Sequence, residues 1–262
     1  YIICMCGILG IISKNDDCSI KLFEGLSFLQ HRGQDSVGIS NGSKCIKKNG
    51  LVKNSLTNED LIEIKSKIGI GHVRYRTNGE VNELTIQPLL GNVLNNKISL
   101  CHNGNVTNID FIKSIIGEEE LNTDSEYILK LFIEKMNSIG VINHDNIIIV
   151  CKFIIYNLVG SFSILILIEN YGMIAFRDRF GIRPLIYGVN TDGYIVSSES
   201  VVLDVLNYNI VRDVEPGEMI VFENNSPPRF SKTKNTTLNP CLFEYIYFSR
   251  IDSIIDGISV YD

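Results

Sequence analysis

Apolar positions recur along this chain at two periods. Residues 6–12, CGILGII, make a short run of the length of a buried strand. From 19 to 30 the period lengthens, and Leu22, Phe23, Leu26 and Leu29 share one face at helical spacing. Strands are then predicted over 36–41, 44–52, 69–75 and 98–102, and helices over 57–67, 108–115, 124–137 and 145–157. Thr57 and Asp124 are the expected N-caps. From Gly160 the pattern becomes consecutive hairpins. SFSILILIE and GMIAFRD flank a turn at Asn170, Tyr171 and Gly172, while PLIYGV and GYIVSS are joined through Asn190 to Gly193 with an Asp-Gly turn signal. EPGE at 215–218 is a turn leading into MIVFE, and the polar stretch 224–239, with Pro227-Pro228, reads as a loop. The regular strand–helix–strand beat of a Rossmann sheet is missing, so an α+β layered domain with mostly antiparallel sheets is expected.

Composition narrows the classes. A chain of 262 residues, 45% hydrophobic and 21% charged, can bury a substantial core. Its net charge of −6 and scattered basic residues argue against a nucleic-acid surface, and Lys44, Lys47 and Lys48 read as a solvated hairpin face. The apolar stretch 147–159 is interrupted by Lys152 and Asn157 and falls short of the roughly 20 residues a membrane span needs. The opening YIICMCGILGII has no basic n-region, so a cytoplasmic protein is expected. Seven cysteines, at 4, 6, 18, 45, 101, 151 and 241, form no CxxC pair, which points to neither disulfides nor a zinc site. Cys101 and Cys151, inside apolar runs, are expected core residues.

Five segments could carry chemistry, each with a plain structural alternative. In Met5-Cys6-Gly7, removal of the methionine would leave Cys6 with a nucleophilic sulfur and a free α-amine as its base; otherwise Cys6 is a buried strand residue. In His31-Arg32-Gly33-Gln34-Asp35, Arg32 could lower a neighbouring thiol's pKa and Gly33 could admit close backbone approach, or Gly33 could be a left-handed helix cap. GHVRYRT sets Arg74 and Arg76 at a strand end, suited to a substrate carboxylate or to a surface ion pair, with Asn78-Gly79 suggesting a mobile loop. His102-Asn103-Gly104-Asn105 could form an oxyanion hole or a turn. Asp124, opening a helix, could pair with a substrate ammonium or cap the helix.

These pieces stand in one order. CGILGI, HRGQDSVGI, GHVRYRT, HNGNVTN and TDSE resemble the class II, N-terminal-nucleophile glutamine amidotransferases. FRDRFGIRPL at 176–185, SSES at 197–200, RDVEPGE at 212–218 and NPCLFEYIYFSR at 239–250 are similar to one family among them, the amidophosphoribosyltransferases. Members making glucosamine phosphate carry HRGYD and those making asparagine HRGPD, where this chain has Gln34. The resemblance implies the four-layer αββα Ntn-hydrolase sandwich. It implies Cys6 as nucleophile with its α-amine as base, Asn103 and Gly104 as oxyanion hole, and Arg32 as support of the sulfur. Arg74 would clamp the glutamine α-carboxylate and Asp124 would meet its α-ammonium.

The expected reaction is hydrolysis of glutamine to glutamate and ammonia through a Cys6 thioester, with neither metal nor cofactor for this half. In the family the ammonia goes to phosphoribosylamine formation in de novo purine synthesis. The expected division is 1–5 as an extension before Cys6, 6–240 as amidotransferase domain, and 241–262 as the start of an interdomain segment. That segment is expected to be a strand exposing Phe243, Tyr245, Tyr247 and Phe248. The acidic phosphoribosyl-pyrophosphate loop of the family's synthase domain, with its Mg, lies outside this sequence. The partners implied are glutamine, a phosphoribosyltransferase domain in cis or as a separate chain, and further copies in a homo-oligomer. Cys241 matches an iron–sulfur ligand of some relatives, and a plain cysteine is expected here. Met5 is read as the true start, or residues 1–5 as a removed propeptide. The segment RYRTNGEVNELTIQPLL departs from relatives that have Pro at Arg76. The alternative reading is a catalytically silent remnant or binding module that keeps the fold.

Overall fold

The run SFSILILI, apolar on both faces, becomes a central strand, Gly160–Ile168, of a six-stranded antiparallel sheet. The computed structural model describes residues 6–75, 85–224 and 226–261. Across this sheet the strands run Arg229–Lys232, Glu218–Glu223, Gly172–Arg177, Gly160–Ile168, Asn96–Val106 and Leu89–Val93. A seven-stranded sheet packs on it, ordered Asn209–Asp213, Ile186–Val189, Gly193–Ser197, Cys6–Ser13, Ile68–Arg74, Ser36–Ser40 and Cys45–Asn49.

Three apolar layers hold the stack together. Ile8, Ile70, Cys101, Leu165, Met173 and Phe222 fill the space between the sheets. Helices Ser19–Phe28 and Val201–Val205 cover the seven-stranded sheet through Leu22, Leu26 and Val202. Helices Ile109–Ile116, Asp124–Ile139 and His144–Asn157 cover the other through Ile112, Phe132 and Ile154. The result is the αββα sandwich the motifs implied. Cys101 and Cys151 are fully buried, as their apolar surroundings require.

Local signals account for most element ends, and several expectations need correction. Thr57 caps Asn58–Glu63 by a capping box with Asp60. The helix at 124 is capped by Thr123, not Asp124: Thr123 accepts the Glu126 N–H, and Glu126 accepts the Thr123 N–H. The strand expected over 44–52 ends at Asn49, and a short helix, Val52–Ser55, follows. Leu89–Val93 escapes sequence patterning because its hairpin turns on Leu94 and Asn95, both at positive φ (45° and 66°), where leucine is a poor turn signal. Strands at 209–213 and 229–232 and the helix at 201–205 also emerge, the second within a stretch read as loop. The segment after 240 is not one strand: its only strand pairing among the described residues is a short hairpin, Ile254–Ile255 with Ile258–Ser259. It turns as a π-helix at Glu244–Phe248, with the Ser249 N–H donating to the Glu244 carbonyl. Of the four aromatics expected to be exposed, Phe243 and Tyr247 are, whereas Tyr245 and Phe248 are half-buried, and Glu244 among them is buried. The suggested mobile loop at Asn78-Gly79, Arg76 and the Met5–Cys6 link lie outside the described residues. No described helix is long and apolar enough to cross a membrane.

Candidate active site

Strand parity decides which side chains meet. On Cys6–Ser13 the odd positions Leu9 and Ile11 pack toward the helices, while Ile8 faces the other sheet. Cys6 therefore points into the intersheet space at the strand's beginning. Arg74 pairs in register with both Cys6 and Ser36, and Ile70 on the same strand faces the intersheet core, so Arg74 shares that face. Across the gap, Cys101 lies in the intersheet layer and Ser99 Oγ is 3.0 Å from Ser40 Oγ of the opposite sheet. Asn103, two residues on, faces the same space. One end of the sandwich thus receives Cys6, Arg74 and Asn103 from three strands.

The segment HNGN is not a turn. The strand runs on to Val106, because every residue from Ile98 to Val106 pairs with Gly160–Ile168. Beyond Leu100 its other edge has no strand partner among the described residues, since Leu89–Val93 pairs only with 96–100. The Thr107 N–H donates toward the paired side, so alternation aims the N–H groups of His102, Gly104 and Val106 at the open edge. His102 N–H donates to Gln87 Oε1 at 2.6 Å and Val106 N–H to Asp124 Oδ2 at 2.9 Å. Gly104 N–H is left between them. The Asn103 side chain is fully buried, and neither its nitrogen nor its oxygen has a hydrogen-bond partner among the described residues. Such an orphan is rare in a folded protein and costs stability. Gly104 sits at φ 155°, and a Cβ there would lie 1.9 Å from the Ser161 carbonyl oxygen. Only glycine fits.

Arg74 Nη1 donates to the Thr85 carbonyl at 3.1 Å and to Thr85 Oγ1 at 2.6 Å, which holds one edge of the guanidinium. Asp124 accepts the Val106 and Ser125 N–H groups through different oxygens and is partly exposed, so it keeps lone pairs for a cation. Ser125 Oγ lies 2.9 Å from His102 Nδ1 and accepts from Gln87 Nε2 at 3.1 Å, tying helix and strand together behind the site.

Arg32 is fully buried beneath the Cys6–Ser13 strand. Its Nε donates to the Cys6 carbonyl at 3.0 Å, Nη1 to Glu199 Oε1 at 2.6 Å and Nη2 to Glu244 Oε2 at 2.7 Å. Gly33 beside it is extended (φ −166°), not a left-handed cap, and a Cβ would lie 2.5 Å from the Arg74 backbone. Close approach is therefore the role of this glycine. Glu199 and Glu244 stood in SSES and CLFEYIYF without an assigned role; a carboxylate inside a serine or aromatic run was the one available hint. Burial opposes ionisation of Glu199, but Arg32 and His31 outweigh it and hold its carboxyl at about 2. With the folded pKa below its ordinary value, Glu199 stabilises the protein above about pH 4.5 and loses that contribution as pH falls toward 2. Glu199→Gln is expected to destabilise the fold by about 3–5 kcal/mol at neutral pH. In urea titrations the gap to the native chain should narrow steadily between pH 4.5 and 2; a pH-independent gap contradicts the ionic account.

Comparison with known proteins agrees with this geometry. The glutamine amidotransferase domain family matches residues 72–205. The Escherichia coli (strain K12) amidophosphoribosyltransferase is 38% identical over 275 residues, covering 98% of this chain and 54% of its own length. Among solved structures, the glutamine phosphoribosylpyrophosphate amidotransferase of B. subtilis, complexed with ADP and GMP, aligns with TM-score 0.83 and 34% identity over 98% of this chain and 55% of that one. A structure described as the allosteric regulatory enzyme of purine biosynthesis gives TM-score 0.84 at 34% identity, with the same coverage. The chain belongs to the class II glutamine amidotransferase domain family. Within it, this domain is similar to amidophosphoribosyltransferases and spans about half the length of those relatives.

Proposed function

We propose that this chain hydrolyses glutamine to glutamate and ammonia with Cys6 as nucleophile, and that the ammonia serves phosphoribosylamine formation, a step of purine synthesis. The observation that carries the reading is the buried amide of Asn103, unpartnered among the described residues, beside the open-edge N–H of Gly104 on the face that Cys6 shares. A buried amide donor without an acceptor among the described residues, next to an open-edge N–H, is suited to a charge that exists only during reaction.

Cys6 Sγ attacks the side-chain amide carbon of glutamine, and the oxyanion accepts from Asn103 Nδ2 and Gly104 N–H. The Cys6 α-amine takes the thiol proton and gives it to the departing ammonia; water then splits the thioester and releases glutamate. Arg74 holds the α-carboxylate and Asp124 the α-ammonium, so specificity for a free amino acid comes from charges at both ends of its α-carbon. Arg32 positions the Cys6 backbone. Every group named belongs to this chain. Mg and phosphoribosyl pyrophosphate belong to a phosphoribosyltransferase domain, in cis or on another chain.

The test combines intact mass with a glutaminase assay. A chain beginning at Cys6 should release glutamate, and a diazoketone analogue of glutamine should label Cys6 alone. A homogeneous Cys6 start with no glutamate release supports a silent fold instead. Arg74→Lys is expected to raise the KM for glutamine about tenfold with a smaller change in kcat, because a lysine cannot make the forked contact. An unchanged KM removes Arg74 from the clamp.

A further inference from the structure

The buried ion network under Cys6 is completed from outside the two sheets. Glu244 lies in the segment that follows them. Its Oε2 accepts from Arg32 and its Oε1 from Arg183 Nη1 at 3.0 Å. Glu199 is bound to the same segment: its Oε2 accepts the Arg250 N–H at 3.1 Å and the Ser253 hydroxyl at 2.8 Å. Arg32 Nη1 also reaches Ser249 Oγ at 3.4 Å. Four contacts to Arg32 and Glu199 thus come from residues 244–253, and Arg32 in turn holds the Cys6 carbonyl. We propose that Glu244 is a positioning residue for the nucleophile, and that the segment 241–261 sets Cys6 reactivity through the relay Glu244–Arg32–Cys6 carbonyl. This rests on the reading of Cys6 as nucleophile.

The reasoning is one of charge and geometry. Arg32 and Arg183 face Glu199 and Glu244, two cations against two anions, with His31 Nε2 2.7 Å from Glu199 Oε1 and Arg74 across from Cys6. Arg32 has its five donor N–H groups divided among Cys6, Glu199, Glu244 and Ser249. Removing the Glu244 charge leaves one uncompensated cation below the strand and frees Nη2 to seek another acceptor. Two effects follow. The thiol of Cys6 becomes easier to ionise, and its carbonyl loses the fixed distance that aims the sulfur. A segment that merely capped the core would do neither.

The same segment offers an internal control. Asp256 makes a buried pair with Arg177, at 2.8 Å to Nη1 and 3.2 Å to Nη2, and this pair does not include Arg32. The experiment uses the chain beginning at Cys6 and its Glu244→Gln and Asp256→Asn variants. Alkylation of Cys6 by iodoacetamide is followed against pH by peptide mass spectrometry, alongside kcat and KM for glutamine and the melting temperature. For Glu244→Gln we expect the alkylation midpoint to move down by about 0.5–1 pH unit. Its kcat should fall about tenfold with KM within twofold. Asp256→Asn should lower the melting temperature by a similar amount while leaving the midpoint and kcat at native values. An unmoved midpoint and kcat in Glu244→Gln, or equal changes in Asp256→Asn, overturns the relay. A native chain whose Cys6 alkylates but releases no glutamate counts against the hydrolytic reading alone, since the alkylation comparison still decides the relay.

Discussion

Cys6→Ala should leave a folded protein that releases glutamate from glutamine more than about 10³-fold slower than the native chain. Cys6 is 3% exposed, so the smaller side chain is accommodated at the strand start with a modest loss of stability. The diazoketone analogue should then label none of the remaining cysteines. Cys101 and Cys151 are fully buried, and burial raises their thiols far above the ordinary cysteine range. Cys18 is likewise pushed up to about 12, and Cys45 to about 11. A chain that keeps residue 5 attached to Cys6 gives a second arm. Its Cys6 nitrogen is an amide without a basic lone pair, which removes the general base and should cost about 10²–10⁴-fold in kcat while the thiol remains. A Cys6→Ala variant that retains even a tenth of native turnover would place the nucleophile elsewhere.

Asn103 separates activity from stability. Asn103→Ala should lower kcat about 10²–10³-fold with little change in KM, because the lost donor acts on a charge present only in the transition state. The same change removes a buried amide whose nitrogen and oxygen lack partners among the described residues, so thermal unfolding should show the variant as stable as the native chain or more so. A loss of stability with unchanged kcat reverses the assignment and makes Asn103 a structural residue. Gly104→Ala gives a contrasting outcome. Its Cβ would meet the Ser161 carbonyl oxygen and the His102 ring, so both fold and turnover should suffer.

The local segments were legible for physical reasons that act over a few residues. The 3.6-residue spacing of Leu22, Leu26 and Leu29 sufficed for the first helix, and the Asp192-Gly193 signal for its hairpin. The motifs likewise placed Cys6, Arg74 and Asp124 at element ends. Where local signals competed, sequence patterning misassigned: Thr123 and Asp124 both suit a cap, and only the capping-box geometry with Glu126 separates them. Asn-Gly at 103–104 reads as a turn, and the ladder to Gly160–Ile168 overrides it.

What the sequence by itself determined was the set of candidate groups and the segment that carries each. The tertiary structure alone decided what lies beneath Cys6. Arg32 meets Glu199 and Glu244 from 167 and 212 residues away, a separation at which no spacing rule operates. Those partners are chosen by desolvation: a guanidinium with no exposed surface must find carboxylates wherever the fold brings them, and here one comes from the segment after the second sheet. Cys6 emerges as a strand residue whose carbonyl is held by Arg32, itself held by two glutamates distant in the chain.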